Sequence, residues 1–261
     1  MKIAVIGAGA MGGAMAEGFV HSGRFLPSDI TVSAPHESTL ERFAALGIRT
    51  TTDNRHVAEG ADVVIVAVKP WLVENVISGI KPMLDYSTQT VVSVAAGVSG
   101  DRLTAMLAKE DGSRPETFIA IPNIAISVGC SMTFIVAVNG DATATEKIED
   151  MFNSVGSSLI VDEHLLGAGT ALASCGIAYA MRYVRAASEG GVELGFKASA
   201  ARDIVLQTVK GAVALLQANG NHPEAEIDKV TTPGGLTIRG LNEMERAGFT
   251  NAVIRGLVGS K

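Results

Sequence analysis

Met1-Lys2-Ile3-Ala4-Val5-Ile6-Gly7-Ala8-Gly9-Ala10-Met11-Gly12 is the stretch that decides the fold. Residues 2–6 are a short apolar run stopped by glycine, the pattern of a buried strand. Gly7, Gly9 and Gly12 fall in a G-x-G-x-x-G spacing, and an apolar helical pattern over 12–21 follows. In that context each glycine has a separate task. Gly7 permits the tight turn, Gly9 lets backbone approach a pyrophosphate, and Gly12 lets helix and strand pack closely. The start of the helix then offers free N–H groups and the positive end of its dipole to phosphates. A tight strand–helix turn that binds nothing is the plainer reading, and the agreement of strand, motif and helix stands against it. Gly7, Gly9, Ala10, Met11 and Gly12 are therefore candidate cofactor-binding residues.

Outward from this loop, short apolar runs alternate with helical patterns. Strands are expected at 30–33, 62–68, 90–95, 118–121, 132–138 and 156–162, with a helix at 38–46. The valine-rich runs 62–68 and 90–95 have the continuous apolarity of strands buried on both faces. This is the order of a Rossmann-type parallel sheet. From about residue 163 the β-branched clusters stop and alanine-rich helical periodicity takes over, at 178–190, 199–217, 236–247 and 250–258. The expected α/β organisation is a dinucleotide-binding domain over 1–162, then an all-helical domain over 163–261. The predicted helices carry apolar residues on more than one face, which calls for a partner chain.

Selectivity between NAD and NADP is set where the second strand ends. An Asp or Glu there would hydrogen-bond a ribose 2′-hydroxyl. The chain instead reads Ser33-Ala34-Pro35-His36, with no carboxylate and no arginine. Ser33 joins the cofactor candidates as a donor to a 2′-phosphate, although an ordinary strand-end hydroxyl fits it as well. NADPH is the expected cofactor, with NADH as the alternative.

Composition excludes other classes. The formal charge of −6 and a pI near 5.4 do not suit a chain that grips phosphate backbones, so no nucleic-acid partner is expected. No fully apolar, uncharged run of about 18 residues is read, and no membrane partner is expected. Cys130 and Cys175 lack metal-ligand spacing, and no metal site is expected. Two free thiols, and a start that lacks the apolar stretch of a signal peptide, suit a cytoplasmic protein.

Three further stretches resemble pyrroline-5-carboxylate reductases. They are Ala67-Val68-Lys69-Pro70, Val94-Ala95-Ala96-Gly97-Val98, and Val230-Thr231-Thr232-Pro233-Gly234-Gly235-Leu236-Thr237-Ile238 with Leu241, Glu245, Gly248 and Phe249 after it. The resemblance implies reduction of 1-pyrroline-5-carboxylate to L-proline with NAD(P)H. It also implies a helical domain that interlocks with a twin as a homodimer or a higher homo-oligomer. By the same resemblance Ala67, Lys69, Pro70, Ala95 and Asn54 contact the cofactor. Thr232, Gly234, Gly235 and Leu236 surround the substrate, and Thr237 is the catalytic residue, placed near the ring nitrogen. Read alone, Lys69 is a solvated lysine before proline, Asn54 a turn residue and Thr237 a helix-terminus residue. Ile124-Ala125, Ile177 and Leu236 depart from the family pattern and make the expected pocket more apolar.

Two other readings stay open at this stage. One is a protein that binds NADPH and catalyses nothing. The other is a reductase of a different cyclic imine or of a β-hydroxyacid. A β-hydroxyacid dehydrogenase would carry a lysine on the first helix of the second domain, and 176–182 contains none. No His, Asp or Glu in the matched segments is an acid for the reaction, and His164 and His222 read as surface residues.

Overall fold

Strand β1 (Ile3–Ile6) lies inside an eight-stranded sheet in the computed structural model, which describes residues 1–260. The order is β3-β2-β1-β4-β5-β6-β7-β8. Its members are β2 (Ile30–Ser33), β3 (Arg49–Thr51), β4 (Val63–Val66), β5 (Thr90–Ser93), β6 (Glu116–Ile121), β7 (Ser131–Asn139) and β8 (Gly156–Ile160). Pairing is parallel from β3 through β6. The chain then turns back, so that β7 runs antiparallel to β6, and β8 runs parallel to β7. The Rossmann-type parallel sheet is present as expected, with one antiparallel junction at β6–β7. Residues 122–130 make a short 3-10 turn between β6 and β7, too little chain for a crossover helix.

Helices cover both faces, because alternate strand residues point to opposite sides. Ile3 and Val5 join one core with Phe19, Phe43, Phe118 and Phe152, under α1 (Ala10–His21), α2 (Glu37–Ala45) and α6 (Ala142–Asn153). Ala4 and Ile6 join the other with Val73, Ile77, Ile80, Leu103 and Leu107, under α3 (Asn54–Ala58), α4 (Val73–Ile80) and α5 (Gly100–Leu107). Each fully buried Phe, Ile or Leu contributes about 1.5–3 kcal/mol of apolar transfer energy. Phe19 anchors the first core, with its ring edge-on to Phe25 at 5.5 Å and tilted to Phe152 at 6.2 Å.

Several boundaries differ from the sequence expectation. Helix α1 starts at Ala10, two residues before Gly12, so Met11 and Gly12 lie inside its first turn. Strands β4 and β5 stop at Val66 and Ser93, and their following residues form loops. Strand β3 has three residues, Arg-Thr-Thr, with no apolar run to announce it.

Contacts divide the chain into two compact units, Met1–Thr170 and Ala171–Lys261. The second contains only helices among the described residues. They are α8 (Gly176–Glu193), α9 (Ala198–Asn219), α10 (Pro223–Lys229), α11 (Leu236–Arg246) and α12 (Phe249–Val258), preceded by a π-helical turn at Thr170–Cys175; the one-turn α7 (Leu166–Gly169) closes the first unit. In this second unit the only buried hydrophobic side chains among the described residues are Ala171 and Ala201, while Leu194, Leu172, Met181, Val230 and Val258 are exposed. Continuous helix over Glu163–Glu193 is long and apolar enough to cross a membrane by length and composition. The sequence expectation of no such segment is corrected by this, because 165–181 carries no charge.

A helical unit that buries two alanines cannot offset the entropy of its own ordering, so its apolar faces need another surface. Light scattering at micromolar concentration should give at least twice the chain mass of 27.0 kDa. A particle of the single-chain mass, still folded, would contradict this.

Candidate functional site

The carboxyl ends of β1, β2, β4 and β5 open into one cleft of about 560 Å³. It is lined by Gly7, Gly9, Ala10 and Met11, by Ala34, Pro35 and Thr39, by Ala67, Lys69, Pro70 and Leu72, and by Val94, Ala95 and Ala96. Ligands of open α/β sheets bind outside such strand ends. The order along the sheet gives the cleft two ends: Ala34 and Pro35 after β2, and Ala95 and Ala96 after β5.

The glycine loop builds the floor. Gly7 has φ +107°, and a Cβ there would lie 2.7 Å from the Ala67 carbonyl oxygen. A Cβ on Gly12 would lie 1.9 Å from the Gly7 carbonyl oxygen. Backbone thus packs against backbone at both positions, and the sheet edge is held by Gly7 N–H donating to Ser33 O at 3.0 Å and Ala67 N–H to Ile6 O at 2.8 Å. Gly9 is different. A Cβ at Gly9 would have nothing within 4 Å, so it would project into open space. Gly9 is the N-cap of α1, no side chain caps that helix, and its first turn holds no acidic residue. Free N–H groups and a positive helix end therefore face the cleft, a cradle suited to a pyrophosphate.

Three expected cofactor residues, Gly12, Ser33 and Asn54, lie outside the cleft lining. Ser33 is fully buried, and its hydroxyl donates to Asn54 Oδ1 at 2.7 Å. The hydroxyl expected to donate to a phosphate is engaged within the chain, where it orients the Asn54 amide. Asn54 lines a neighbouring polar hollow of about 450 Å³ with Thr52, Asp53, Arg55 and Asn75. The backbone N–H of Arg55 bonds the Asp53 carboxylate at 2.9 Å and holds it below the usual carboxylate range, with the Arg55 side chain adding to the effect. Lys69 is exposed at the start of a 3-10 turn, and Gly12 is buried beneath the cleft. Thr39 and Leu72 line the cleft but were not singled out from sequence, since neither belongs to a motif.

In the second unit, residues 230–235 join α10 to α11. Gly234 has φ +68°, and Gly235 leaves no room for a Cβ, which would lie 2.4 Å from Thr232 Oγ1. Helix α11 starts with Gly235 as N-cap, without a side-chain cap and without an acidic residue in its first turn. Leu236 is 82% exposed, and Thr232 and Thr237 are exposed too. Among the described residues no hydrogen bond engages the Thr237 hydroxyl, whereas Thr231 Oγ1 donates to Asp228 O at 3.0 Å. Among the described residues no group of His, Cys, Asp and Glu could hold a metal ion.

The sheet, glycine cradle and cleft define a dinucleotide-binding protein of the Rossmann class. Residues 2–97 match the family of coenzyme F420-dependent NADP oxidoreductases, and residues 163–260 match the pyrroline-5-carboxylate reductase dimerisation family. The chain is 35% identical to pyrroline-5-carboxylate reductase of Methanosarcina acetivorans, covering 100% of this chain and 97% of that protein. It is 37% identical to pyrroline-5-carboxylate reductase 1 of Dictyostelium discoideum over 99% of this chain, and spans 48% of that protein's length. The crystal structure of Plasmodium falciparum pyrroline carboxylate reductase with NADP bound is similar over 100% of this chain and 95% of that one, with a TM-score of 0.85 and 25% identity. The chain belongs to the pyrroline-5-carboxylate reductase family, whose members are oxidoreductases.

The two glycines separate folding from binding. Gly12→Ala should lower the melting temperature by several degrees, as expected for about 1–3 kcal/mol of overpacking. Gly9→Val should leave melting within a degree or two, yet weaken NADPH binding about tenfold or more by filling the cradle. Equal NADPH affinity in folded Gly9→Val would remove the cradle from the site.

Proposed function

We infer that this chain reduces 1-pyrroline-5-carboxylate to L-proline with NAD(P)H, by hydride transfer to the cyclic C=N bond. Family membership along the whole chain supports the reaction. When bound, the nicotinamide supplies the hydride, and the protein contributes position and charge. On this reading residues 1–162 form the cofactor domain and 163–261 the dimerisation and substrate domain. Gly7, Gly9, Ala10 and Met11 cradle the pyrophosphate with Gly12 packed beneath them, and Ala67, Lys69, Pro70 and Ala95 line the way to the nicotinamide.

One observation carries the substrate half of the proposal. Helix α11 begins without a side-chain cap and without an acidic residue in its first turn, and among the described residues nothing engages the Thr237 hydroxyl. Backbone N–H groups at Gly235 and Leu236 suit the substrate carboxylate, with Gly234 and Thr232 shaping the loop. The imine takes its proton from solution before binding, and the Thr237 hydroxyl oxygen accepts from the resulting iminium N–H and orients the ring. Helix α8 carries no lysine, so the β-hydroxyacid dehydrogenase reading has no catalytic base there.

NADPH is the proposed physiological cofactor. The end of β2 holds no carboxylate to repel a 2′-phosphate, and Ser33 presents the Asn54 amide on that side of the sheet. The helical unit is proposed to form a homodimer, with the apolar Glu163–Glu193 helix facing the partner chain rather than lipid. A cytoplasmic setting agrees with the free thiols Cys130 and Cys175.

Two substitutions test these roles. Ala34→Asp puts a carboxylate in the cleft lining and should shift the NADPH/NADH ratio of kcat/KM about tenfold or more towards NADH. A parent enzyme that favours NADH tenfold would sink the NADPH assignment. Thr237→Val keeps the shape and removes the hydroxyl. Loss of that bond, about 1–3 kcal/mol, should lower kcat/KM for pyrroline-5-carboxylate about ten- to a hundredfold, with NADPH affinity and melting temperature unchanged. Thr237→Ser should retain most of the activity. Full turnover in the valine variant would take Thr237 out of the active site.

A further inference from the structure

Helices α1 and α5 both begin at the carboxyl edge of the sheet in the first unit, and the chain treats their N-termini in opposite ways. That of α1 is left open. That of α5 is filled by the protein itself. Ser99 accepts from Arg102 N at 3.3 Å, Asp101 stands in the first turn, and the carboxylate of Glu163 takes the Gly100 N–H. The Gly100 nitrogen lies 3.1 Å from Oε1 and 3.2 Å from Oε2 of Glu163, a contact across 63 residues of chain. Glycine at 100 eases this approach, since a Cβ would lie 2.9 Å from Oε2 and 3.1 Å from the Val138 methyls, and both would have to shift. Among the described residues no lysine or arginine pairs with Glu163. Its carboxylate is therefore directed at the helix end alone.

The contact matters because of what precedes Gly100. Residues 94–98 run from β5 to α5, and Val94, Ala95 and Ala96 line the cleft at the end opposite Ala34 and Pro35. At its start the loop is tied to β4, where Val94 N–H donates to Val66 O at 3.1 Å. Its middle turns on Gly97, with φ +82°. Near its start Ser93 Oγ of β5 accepts from Ala95 N–H at 3.4 Å, and at its end Glu163 reaches in from far along the chain to take the Gly100 N–H. A charge-assisted bond to a backbone N–H is stronger than a neutral one and draws on the helix dipole as well.

We propose that Glu163 is a positioning residue for the nicotinamide end of the cofactor cleft, fixing the 94–98 loop through the Gly100 N–H. The proposal rests on the nicotinamide-nucleotide reading of the cleft. Glu163 does not touch the cofactor, and it acts by holding the loop that the ring meets. The phosphates and the adenosine lie on the glycine cradle and the β2 end, so they are indifferent to it.

A probe that lacks the nicotinamide separates this role from a structural one. Binding of NADPH and of 2′,5′-ADP is measured by calorimetry on the full-length parent, Glu163→Ala and Glu163→Gln, together with kcat at saturating NADPH. Glu163→Ala should weaken NADPH about five- to tenfold and lower kcat about tenfold, while 2′,5′-ADP stays within about twofold of parent. Glu163→Gln keeps a carbonyl acceptor for Gly100 and should restore both parameters to near the parent values. Should the alanine variant fail to fold, Glu163→Asp replaces it, because the shorter side chain falls about 1.5 Å short of Gly100. Unchanged NADPH binding and kcat, equal weakening of both ligands, or a glutamine variant as impaired as alanine would each overturn the proposal. A parent that binds neither ligand would instead bring down the cofactor reading, and the proposal with it.

Discussion

Backbone meets backbone where α1 leaves β1, and the rest of the site depends on that approach. The Gly7 carbonyl oxygen occupies the space a Cβ on Gly12 would need, and the Ala67 carbonyl blocks one on Gly7. Only with both side chains absent can α1 begin at Ala10, directly over the carboxyl ends of β1 and β4. Its free N–H groups then face the cleft without any side chain having to supply charge. A chain with a formal charge of −6 can receive a polyanionic cofactor in this way, because the field at the cleft is set locally by peptide dipoles.

The two units solve burial differently. In the first, strands are sandwiched by helices on both faces, and phenylalanines and branched aliphatics complete two cores. In the second, helices expose most of their apolar residues, and two alanines are the buried hydrophobic side chains among the described residues. Match to a dimerisation family over 163–260 gives those exposed faces their purpose. Folding of that unit and association are on this account one event, so its stability depends on protein concentration.

Much of the first unit was legible in the sequence because its strands are continuous apolar runs bounded by glycine or charge. Ile30–Ser33, an Ile-Thr-Val-Ser stretch between Asp29 and Ala34-Pro35, matches residue for residue even without a continuous apolar run. Direction was not legible, since a run such as 132–138 reads the same parallel or antiparallel, and only the short 122–130 link decides it. Strand β3 was hidden because Arg49, Thr50 and Thr51 bury little and borrow their order from β2. Within the site, contiguous motifs were readable. Gly7, Gly9, Ala10, Met11, Ala67, Lys69, Pro70 and Ala95 all line one cleft. Contacts between distant residues were not readable. Ser33 meets Asn54 across 21 positions and Gly100 meets Glu163 across 63, and no local pattern encodes either pairing.

The account turns on a reduced nicotinamide cofactor and a cyclic imine meeting on this chain. Its most direct test is to mix the purified protein with NADPH and pyrroline-5-carboxylate and follow absorbance at the reduced-nicotinamide band, with amino-acid analysis of the product. Oxidation of NADPH with one L-proline formed per cofactor consumed is the predicted result. No oxidation by folded protein that binds NADPH tightly would contradict the account and leave a nucleotide-binding protein without this activity.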